Sequence, residues 1–457
     1  MKGLMIYRRD FRTVDNTALL NACNMCDEVY TIFVFTPEQV TEKNKFKSEP
    51  AVAFMIGALQ ELSKQLTSNG GKLFTYYGEN QDVIESCIKK WDIDSVFWNK
   101  DYTPYAKKRD SKIEKLCSKL GVQCHISEDY YLHAPCTIFT GSGTPYLKYT
   151  PYMNKAFAKG FPKPSNRKVK NLSKKGSGAS GNYLSLTKAY KQFIGEKMDD
   201  VEIPESYQRS VALSILRDHR EFKDYNETRN NLTDETTRLS APIKFGVVSI
   251  REVAEAFKKN RGLLRQLVWR DFYAQILATN PEVLGSAMKE QYNKLKWSGS
   301  NTDFKKWCEG KTGFPIVDAG MRQLNETGYM HNRARLITAS FLIKTLLVDW
   351  QKGEKYFAQH LVDYDPASNN GNWQWVASTG ADSQPYFRIF NPWSQGKEHD
   401  PDAEYVKKWI PELREVPAKA IHKWDECWTL FRQSGYPKPI VDYKKQKEKA
   451  LDMYKAI

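Results

Sequence analysis

Short, largely apolar runs alternate with amphipathic segments along the first 130 residues. The runs lie at 3–7, 29–35, 72–77, 95–99 and 122–126, and each is too short for a helix. Between them, segments such as AVAFMIGALQELSKQL carry apolar residues every three to four positions, as in a helix with one buried face. This alternation predicts an α/β fold over residues 1–130, with a parallel, Rossmann-like sheet covered by helices on both faces.

The pattern changes twice beyond residue 130. From 131 to 200 no clear periodicity is present, and KKGSGASG (174–181) has the composition of a flexible polar linker. Beyond 200, segments such as SIREVAEAFKKNRGLLRQLVWRDFYAQILA repeat with a period near 3.6 residues. The sequence therefore predicts an α/β domain at 1–130, an interdomain linker at 131–200 and a larger all-helical domain at 201–457.

Length and apolar pattern limit the class of protein. The chain of 457 residues is long enough for two or three domains, has no apolar run long enough to cross a membrane, and shows no secretory signal at MKGLMIYRRD. Eight cysteines are too sparse for a disulfide scaffold. We therefore expect a soluble intracellular protein, in a compartment that the sequence does not specify.

One pair of cysteines has the spacing of a metal site. Cys23 and Cys26 form a CxxC motif, but no second CxxC or paired histidine follows at the spacing that zinc requires. Two cysteines on a helix are the simpler interpretation, and we expect no metal.

The formal net charge of +15 favours a polyanionic partner. It arises from 69 Lys and Arg against 54 Asp and Glu, and such an excess attracts nucleic acid through phosphate contacts and counterion release. Lysine-rich surfaces also occur on proteins that bind no nucleic acid, so the charge favours this partner without proving it. We expect the protein to be a monomer.

The stretch His360–Pro392, HLVDYDPASNNGNWQWVASTGADSQPYFRIFNP, has a costly composition for a plain core. Asp363 and Asp365 are followed by Asn369 and by Gly371, where the backbone can approach a ligand closely, and then by two tryptophans. Carboxylates and amides can hold a flat, nitrogen-rich cofactor, and indoles can stack on it or on a base. A polar loop that caps an aromatic core helix explains the same residues.

Two further segments carry candidate chemistry. In DETTRLSAPIKFGVVS (234–249), hydroxyl groups just before a helix could bind phosphate oxygens or act only as a helix cap. In RQLVWRDFY (265–273), Gln266, Trp269, Arg270 and Tyr273 share one helix face. That face could receive an extruded base, or its tryptophan could pack in the core.

Taken together, these blocks resemble the photolyase and cryptochrome family. The similarity includes YRRDFRTVDNTAL, TTRLS and the ending YFRIFNP, and runs from Arg8 to about Tyr443. It is closest to class I photolyases that repair cyclobutane pyrimidine dimers. The resemblance implies FAD as cofactor, UV-damaged DNA as partner, and a deoxyribodipyrimidine photo-lyase activity driven by blue light.

The resemblance also assigns cofactor contacts. Asn369 would face flavin N5 and favour the reduced flavin, and Arg335 would pair with Asp363 beside the flavin. His331 is expected to be a packed or capping residue. The implied FAD-binding residues are Tyr225, Thr236, Thr237, Arg238, Leu239, Ser240, Arg270, Asn332, Arg335, Asp363, Asp365 and Asn369.

The same resemblance assigns a substrate face and an electron relay. The implied DNA- and lesion-binding residues are Gln266, Trp269, Arg270, Tyr273, Asn332, Arg333, Leu336 and Trp375. Trp373, Trp350 and Trp297 would relay electrons between the flavin and the surface, with Trp373 innermost. A second, light-harvesting chromophore, folate or deazaflavin, is implied for the α/β domain, but no residue of WNKDYTPYAKKRD (98–110) identifies it.

This chain departs from the family pattern at the substrate face. Gln266 stands where dimer-repairing photolyases carry Glu, and Leu336 where they commonly carry Met. Asn332 and Leu336 occupy the positions of the two histidines of (6-4) photolyases, which argues against that chemistry. A cryptochrome that signals without repair is the main alternative, although Asn369 and the short C-terminal tail favour a photolyase. A flavin-free DNA-binding protein would leave the paired aspartates and TTRLS unexplained.

Overall fold

A computed structural model describes residues 1–176, 182–195 and 205–457. The glycine- and serine-rich part of the predicted linker, residues 177–181, and its end at 196–200 lie outside the described residues. Among the helices of the described ranges, none is both long and apolar enough to span a membrane.

Five parallel strands form one sheet near the N-terminus. They are β1 (Lys2–Tyr7), β2 (Glu28–Phe35), β3 (Leu73–Tyr77), β4 (Ser95–Asn99) and β5 (Gln123–Ser127), in the spatial order β3-β2-β1-β4-β5. Leu4 of β1 lies opposite Tyr30 of β2 on one side and Val96 of β4 on the other. The predicted α/β fold is confirmed.

Helices cover both faces of this sheet. They are α1 (Thr17–Met25), α2 (Pro37–Val40), α3 (Glu49–Ser68), α4 (Asn80–Trp91) and α5 (Pro104–Leu120). Local sequence sets their ends: the Ser48 side chain accepts a hydrogen bond from the amide of Ala51 at the start of α3, and Gly121 ends α5 with a φ of 71°. Cys23 and Cys26 are buried at the end of α1.

The segment predicted as an irregular linker contains regular structure. It includes α6 (Tyr149–Lys159) and α7 (Leu186–Phe193), and Tyr149 and Tyr152 of α6 are buried against a later helix. The chain between the two helices returns to the sheet, where the amide of Val29 donates to the carbonyl of Asn171. Aromatic contacts with distant residues, rather than local periodicity, stabilise α6, which is why the pattern did not reveal it.

The remainder of the chain is helical. Its helices are α8 (Arg209–Arg217), α9 (Tyr225–Thr228), α10 (Ser240–Lys244), α11 (Ile250–Ala256), α12 (Arg261–Thr279), α13 (Asn301–Cys308), α14 (Pro315–Thr327), α15 (Asn332–Lys344), α16 (Trp350–His360), α17 (Pro366–Ala377), α18 (Pro392–His399), α19 (Glu404–Trp409), α20 (Ala418–Ile421), α21 (Trp424–Cys427) and α22 (Tyr443–Lys455), with short 3₁₀ turns between several of them. Helices α14 to α17 enclose a second large core that contains Trp307, Trp350 and Trp373.

The sheet and the helical part meet across a buried ionic network. Arg251 of α11 contacts Asp15 at 2.8 Å and Asp129 at 2.7 Å, and Arg12 also pairs with Asp129. Nearby, Gly246 has a φ of 65° and approaches the backbone of the residues that follow β1 so closely that a Cβ atom would lie 2.5 Å from a carbonyl oxygen. The carboxyl edge of the sheet is therefore fixed against the helical part.

Candidate functional site

An ion pair joins α15 to the segment before α17. Nη1 and Nη2 of Arg335 lie 3.2 and 2.9 Å from the two carboxylate oxygens of Asp363, as the sequence predicted for this pair. Arg335 also donates from Nε to the carbonyl of Met330 at 2.8 Å. The Arg335 side chain keeps 25% of its surface accessible against 5% for Asp363, so the arginine borders an opening.

Asp365 caps α17 and pairs with a residue of the sheet. Its Oδ1 accepts from the amide of Ser368 at 3.0 Å, and its Oδ2 accepts from Nη1 of Arg9 at 2.8 Å. Burial alone would raise the pKa of Asp365, but the positive charges of Arg9 and Arg270 outweigh this and lower the pKa to about 2. The cap is therefore a carboxylate at neutral pH.

Asn369 lies in the first turn of α17, and a hydrogen bond to α16 fixes the orientation of its side-chain amide. Its Nδ2 donates to the carbonyl of Glu354 in α16 at 3.0 Å. Because that partner can only accept, the amide orientation is fixed and Oδ1 is left to accept from another group. The next residue, Asn370, donates to the Glu354 carboxyl at 2.9 Å, and burial raises the pKa of that carboxyl to about 7.

Tyr329 connects the TTRLS loop to Arg335. Its hydroxyl lies 3.1 Å from Oγ1 of Thr236, and the guanidinium groups of Arg238 and Arg335 lie 5.2 and 5.5 Å from its ring centre. Arg238 has a φ of 47°, an uncommon value for a residue with a side chain, and α10 begins two residues later, at Ser240. Thr237 accepts from the amide of Leu239 at 3.4 Å. The predicted loop and the predicted ion pair thus form one wall.

A cavity of about 220 Å³ opens beside this loop. Thr236, Arg238, Tyr329 and His331 are among its lining residues. His331 accepts at Nδ1 from the amide of Arg333, so its proton is on Nε2, which has no partner among the described residues. Burial lowers the pKa of His331 to about 4, and the imidazole is neutral. His331 caps α15, as expected, and its Nε2–H is buried.

A lysine that the sequence did not single out lies in the same region. Burial and the nearby charge of Arg9 lower the pKa of Lys244 to about 8, while Asp365 and Asp363 oppose the shift. Lys244 ends the short helix α10. It adds a basic group near Arg9 and the two aspartates.

The residues predicted to share one face of α12 contact different parts of the protein. Trp269 stacks on Tyr149 of α6 with ring centres 3.5 Å apart, and Arg270 lies over Tyr131 at 4.6 Å, toward the sheet. Tyr273 is buried against Gly371. The close approach that Gly371 permits is therefore to an aromatic ring and not to a ligand.

Gln266 and Tyr225 lie on the accessible side of α12. The Gln266 amide makes only a 3.5 Å contact with the carbonyl of Gly262, and the Tyr225 ring lies about 3.1 Å from the position that a Cβ on Gly262 would take. Both side chains are half-buried. They form a second wall, in which the Gln266 amide remains available while the Tyr225 hydroxyl interacts with Arg229.

Three arginines converge next to the start of α15. Burial lowers the pKa of Arg333, and the positive charges of Arg229 and Arg388 act in the same direction against the opposing charge of Glu398. Arg333 donates to Asn230 at 2.8 Å. Asn332 is exposed, and Leu336 and Trp375 are half-buried, at the edge of the tryptophan-containing core. The sequence indicated Arg333 but not the two arginines beside it.

The three relay tryptophans belong to one packed region. Trp373 is 2% exposed, and its ring lies so close to Gly353 of α16 that a Cβ there would be 2.2 Å away. Trp350, 3% exposed, lies three residues earlier on the same helix. Trp297 is half-buried, and its neighbour Gly299 donates to the carbonyl of Leu347 at 2.9 Å. Trp373 and Trp350 are therefore buried, and Trp297 reaches the surface.

The chemistry of these walls fits a flavin dinucleotide. The hydroxyl group of Thr236 and the guanidinium of Arg238 in the TTRLS loop suit phosphate oxygens. The available Oδ1 of Asn369 and the fixed carboxylates of Asp363 and Asp365 suit the polar edge of an isoalloxazine ring.

Comparison with known proteins decides the family. Residues 4–168 match the family model described as DNA photolyase, and residues 263–456 match the FAD binding domain of DNA photolyase. The deoxyribodipyrimidine photo-lyase of Halobacterium salinarum is 36% identical over 99% of this chain and 98% of its own length. The chain belongs to the DNA photolyase family.

Solved structures of the family share the whole fold. An archaeal photolyase from Sulfolobus tokodaii, solved with two FAD molecules, is 36% identical with a TM-score of 0.89, covering all of both chains. A cryptochrome from Synechocystis is 26% identical with a TM-score of 0.88, covering 99% of both chains. The family's FAD domain therefore includes the walls formed by α12 and α15 to α17, and FAD is the cofactor.

Several site residues escaped sequence reasoning. Lys244, Tyr329 and Glu354 contact or face predicted site residues, but none of the three was predicted to belong to the site. Arg9 was predicted to lie at the ligand-binding edge of the sheet, but not to reach Asp365. In the sequence each of these residues is a single charged or aromatic residue next to a strand end or a motif.

Proposed function

We propose that this protein repairs cyclobutane pyrimidine dimers in DNA under blue light. Splitting a dimer restores two intact pyrimidines without net gain or loss of electrons, so no side chain need act as a nucleophile. Bound FAD, in its reduced form, supplies the light-excited electron donor. The protein's residues bind, orient and shield the reacting groups. The observation that carries the proposal is the arrangement of Asn369, Arg335 and Asp363 beside a loop with phosphate-binding chemistry.

The cofactor would be held from two sides. Thr236, Arg238 and the amides near Ser240 would hold the pyrophosphate, and Arg335 with Asp363 would hold the flavin ring. The remaining proposed FAD contacts are Tyr225, Thr237, Leu239, Arg270, Asn332, Asp365 and Asn369. Arg270, which lies over Tyr131, would act by fixing the charge of Asp365.

Asn369 would set the redox preference of the flavin. Since its Nδ2 is used by the Glu354 carbonyl, its Oδ1 can accept only from a protonated N5. Reduction protonates N5, so the amide would favour the reduced cofactor that repair requires. The Glu354 carboxyl, with its pKa raised to about 7, lies directly behind this amide pair.

The damaged bases would bind between α12 and α15. Gln266 would donate to the dimer from its available amide, and Leu336 and Trp375 would provide apolar contacts. Trp269, Tyr273 and Asn332 would complete the pocket, with Tyr273 as a packing residue. A dimer is already poorly stacked and paired, so its extrusion from the duplex costs less than that of intact bases.

A cluster of arginines would bind the DNA backbone near this pocket. Arg333 would contact phosphate, and Arg229 and Arg388 lie close enough to shift its pKa. The three positive charges repel one another, and burial also disfavours the charge on Arg333. An anionic partner would therefore stabilise the cluster. The net charge of +15 supports the same partner.

Trp373, Trp350 and Trp297 would carry an electron from the surface toward the cofactor site. Indoles are readily oxidised, and tunnelling requires short steps through packed atoms. Trp373 packs against Gly353, three residues after Trp350 on α16. Gly299, two residues after Trp297, donates to the carbonyl of Leu347, three residues before Trp350. Trp307 lies 6.3 Å from Trp373 between ring centres and is the competing first partner.

A second chromophore is proposed for the carboxyl edge of the sheet. In the order β3-β2-β1-β4-β5, connections diverge between β1 and β4, where such sheets bind ligands. Within the described ranges, Nη2 of Arg8, Nε1 of Trp98 and Nη2 of Arg109 lack partners near this edge. The Sulfolobus relative contains two FAD molecules. It therefore supports a flavin as a further candidate for this chromophore, in addition to the folate or deazaflavin that the resemblance implied. Visible absorbance in excess of one FAD per chain would test it.

The alternative function is that of a cryptochrome that signals without repair. Gln266, Leu336 and the Synechocystis relative favour it. The deciding experiment incubates dimer-containing oligonucleotide with reduced protein under blue light and counts restored thymines. Light-dependent restoration supports the photolyase. No restoration by flavin-loaded protein supports the cryptochrome.

A further inference from the structure

Arg9 connects the sheet to the helix that carries Asn369 and Trp373. It follows β1 and is 9% exposed. Its Nη1 lies 2.8 Å from Asp365, its Nε 3.3 Å from Asp101, and its Nη2 donates to the Tyr131 hydroxyl at 2.9 Å. Tyr130 covers the guanidinium at 4.7 Å. A planar fork with several donors is the group that can bridge two carboxylates in this way.

Asp365 is the point through which Arg9 acts on the flavin site. One carboxylate oxygen caps α17 at Ser368 and the other binds Arg9. The amide of Asn369 donates to the carbonyl of Asp365 at 2.8 Å, so the asparagine begins its turn from this cap. A change in the position or charge of Asp365 moves the start of α17 and with it the Asn369 amide.

Loss of Arg9 would leave two buried carboxylates close to each other. Burial raises the pKa of both carboxyls, the charge of Asp365 also raises the pKa of Asp101, and Arg9 lowers the pKa of both. Without the guanidinium, one carboxyl would take up a proton or turn away, and a neutral or displaced carboxyl is a poorer helix cap.

We propose that Arg9 is a positioning residue for the flavin, contributed by the sheet, which sets the Asn369 amide against N5 through Asp365. The inference rests on the proposed function and extends it, because it makes the redox behaviour of the cofactor depend on a contact between the two parts of the chain. Residues 9 and 365 are 356 positions apart in sequence.

The test compares two buried arginines that each bridge the sheet and the helical part. Arg9→Met removes the contact to α17. Arg251→Met breaks the Asp15 and Asp129 network, in which Arg251 makes no hydrogen bond or ion pair with α17 among the described residues. Both variants should lower the unfolding temperature. Only Arg9→Met should speed the release of flavin and the reoxidation of photoreduced flavin in air. We expect flavin release to be about tenfold faster, because loss of a supporting group changes the affinity of a ligand site on that scale. Arg9→Lys, which keeps the charge, should partly restore both rates.

The outcomes separate this inference from the proposed function. Equal flavin release and reoxidation in Arg9→Met and Arg251→Met would overturn the positioning role while leaving repair by the wild-type protein intact. If Arg9→Met does not fold, the double variant Arg9→Met/Asp365→Asn removes the unpaired charge and keeps a capping side chain. Because Arg9 acts through Asp365, faster reoxidation in that double variant than in Asp365→Asn alone would also overturn the role. Absence of flavin from the wild-type protein would instead contradict the proposed function.

Discussion

Arg335 and Asp363 form a two-pronged ion pair at the proposed flavin site, at 2.9 and 3.2 Å. The Asp363 side chain is 5% exposed. Removing Arg335 leaves this carboxylate without its partner, which lowers the free energy of unfolding by about 3 kcal/mol. We predict that Arg335→Met purifies with little FAD, measured as the ratio of flavin to protein absorbance. Arg322→Met is the matched control, because Arg322 of α14 forms a similar two-pronged pair with Glu412. Full flavin content in Arg335→Met would contradict the assigned role.

Gln266 has a neutral amide at a position where the resemblance to dimer-repairing photolyases implies the carboxyl group of Glu. We predict that Gln266→Glu raises the number of dimers repaired per absorbed photon by about threefold, because a charge-assisted hydrogen bond is roughly twice as strong as a neutral one. Gln266→Leu, which removes the polar group, should lower repair. An unchanged yield in Gln266→Glu would show that the amide is already sufficient.

Trp350 is the middle member of the proposed relay and is 3% exposed. We predict that Trp350→Phe reduces photoreduction of oxidised flavin to a small fraction of the wild-type rate, since the electron must then tunnel a longer step. Repair by chemically reduced protein should be unchanged. Trp307→Phe serves as the control, and a larger loss of photoreduction in that variant would move the relay to Trp307, which contacts Trp373 directly.

Glu354 makes stability depend on pH. Its folded pKa is raised by burial to about 7, from an ordinary value of 4.5. Between these values the unfolded chain releases a proton that the folded protein keeps, so the free energy of unfolding falls as pH rises, by up to about 1.4 kcal/mol per pH unit for this group. Glu354→Gln should flatten the curve of unfolding free energy against pH from 5 to 7, measured by urea unfolding. A slope equal to wild type would contradict the assigned protonation.

Local patterns were sufficient to predict the sheet. Each predicted apolar run falls within one residue of a strand, as for 95–99 and Ser95–Asn99, because strand length and burial follow directly from adjacent side chains. Helix α6 was missed, since Tyr149 and Tyr152 are held by aromatic contacts with Trp269 and Phe272 rather than by a local pattern.

The site was predictable only where its residues lie in one stretch. Asp363, Asp365 and Asn369 are close in sequence, and the resemblance placed Arg335 against Asp363. The pairing of Arg9 with Asp365 was not predictable, because an arginine after a strand looks the same whether it binds a neighbouring loop or a helix 356 residues away. The separate contacts of Trp269, Arg270 and Tyr273 also depend on the packing around α12.

A competition between lesions tests the central claim most directly. Two oligonucleotides, one with a single cyclobutane dimer and one with a single (6-4) photoproduct, are mixed with chemically reduced, flavin-loaded protein and exposed to blue light, with a dark control. We predict that thymines are restored in the dimer strand alone, and only in the light. Restoration of the (6-4) strand, or equal restoration in the dark, would contradict light-driven dimer repair at this site.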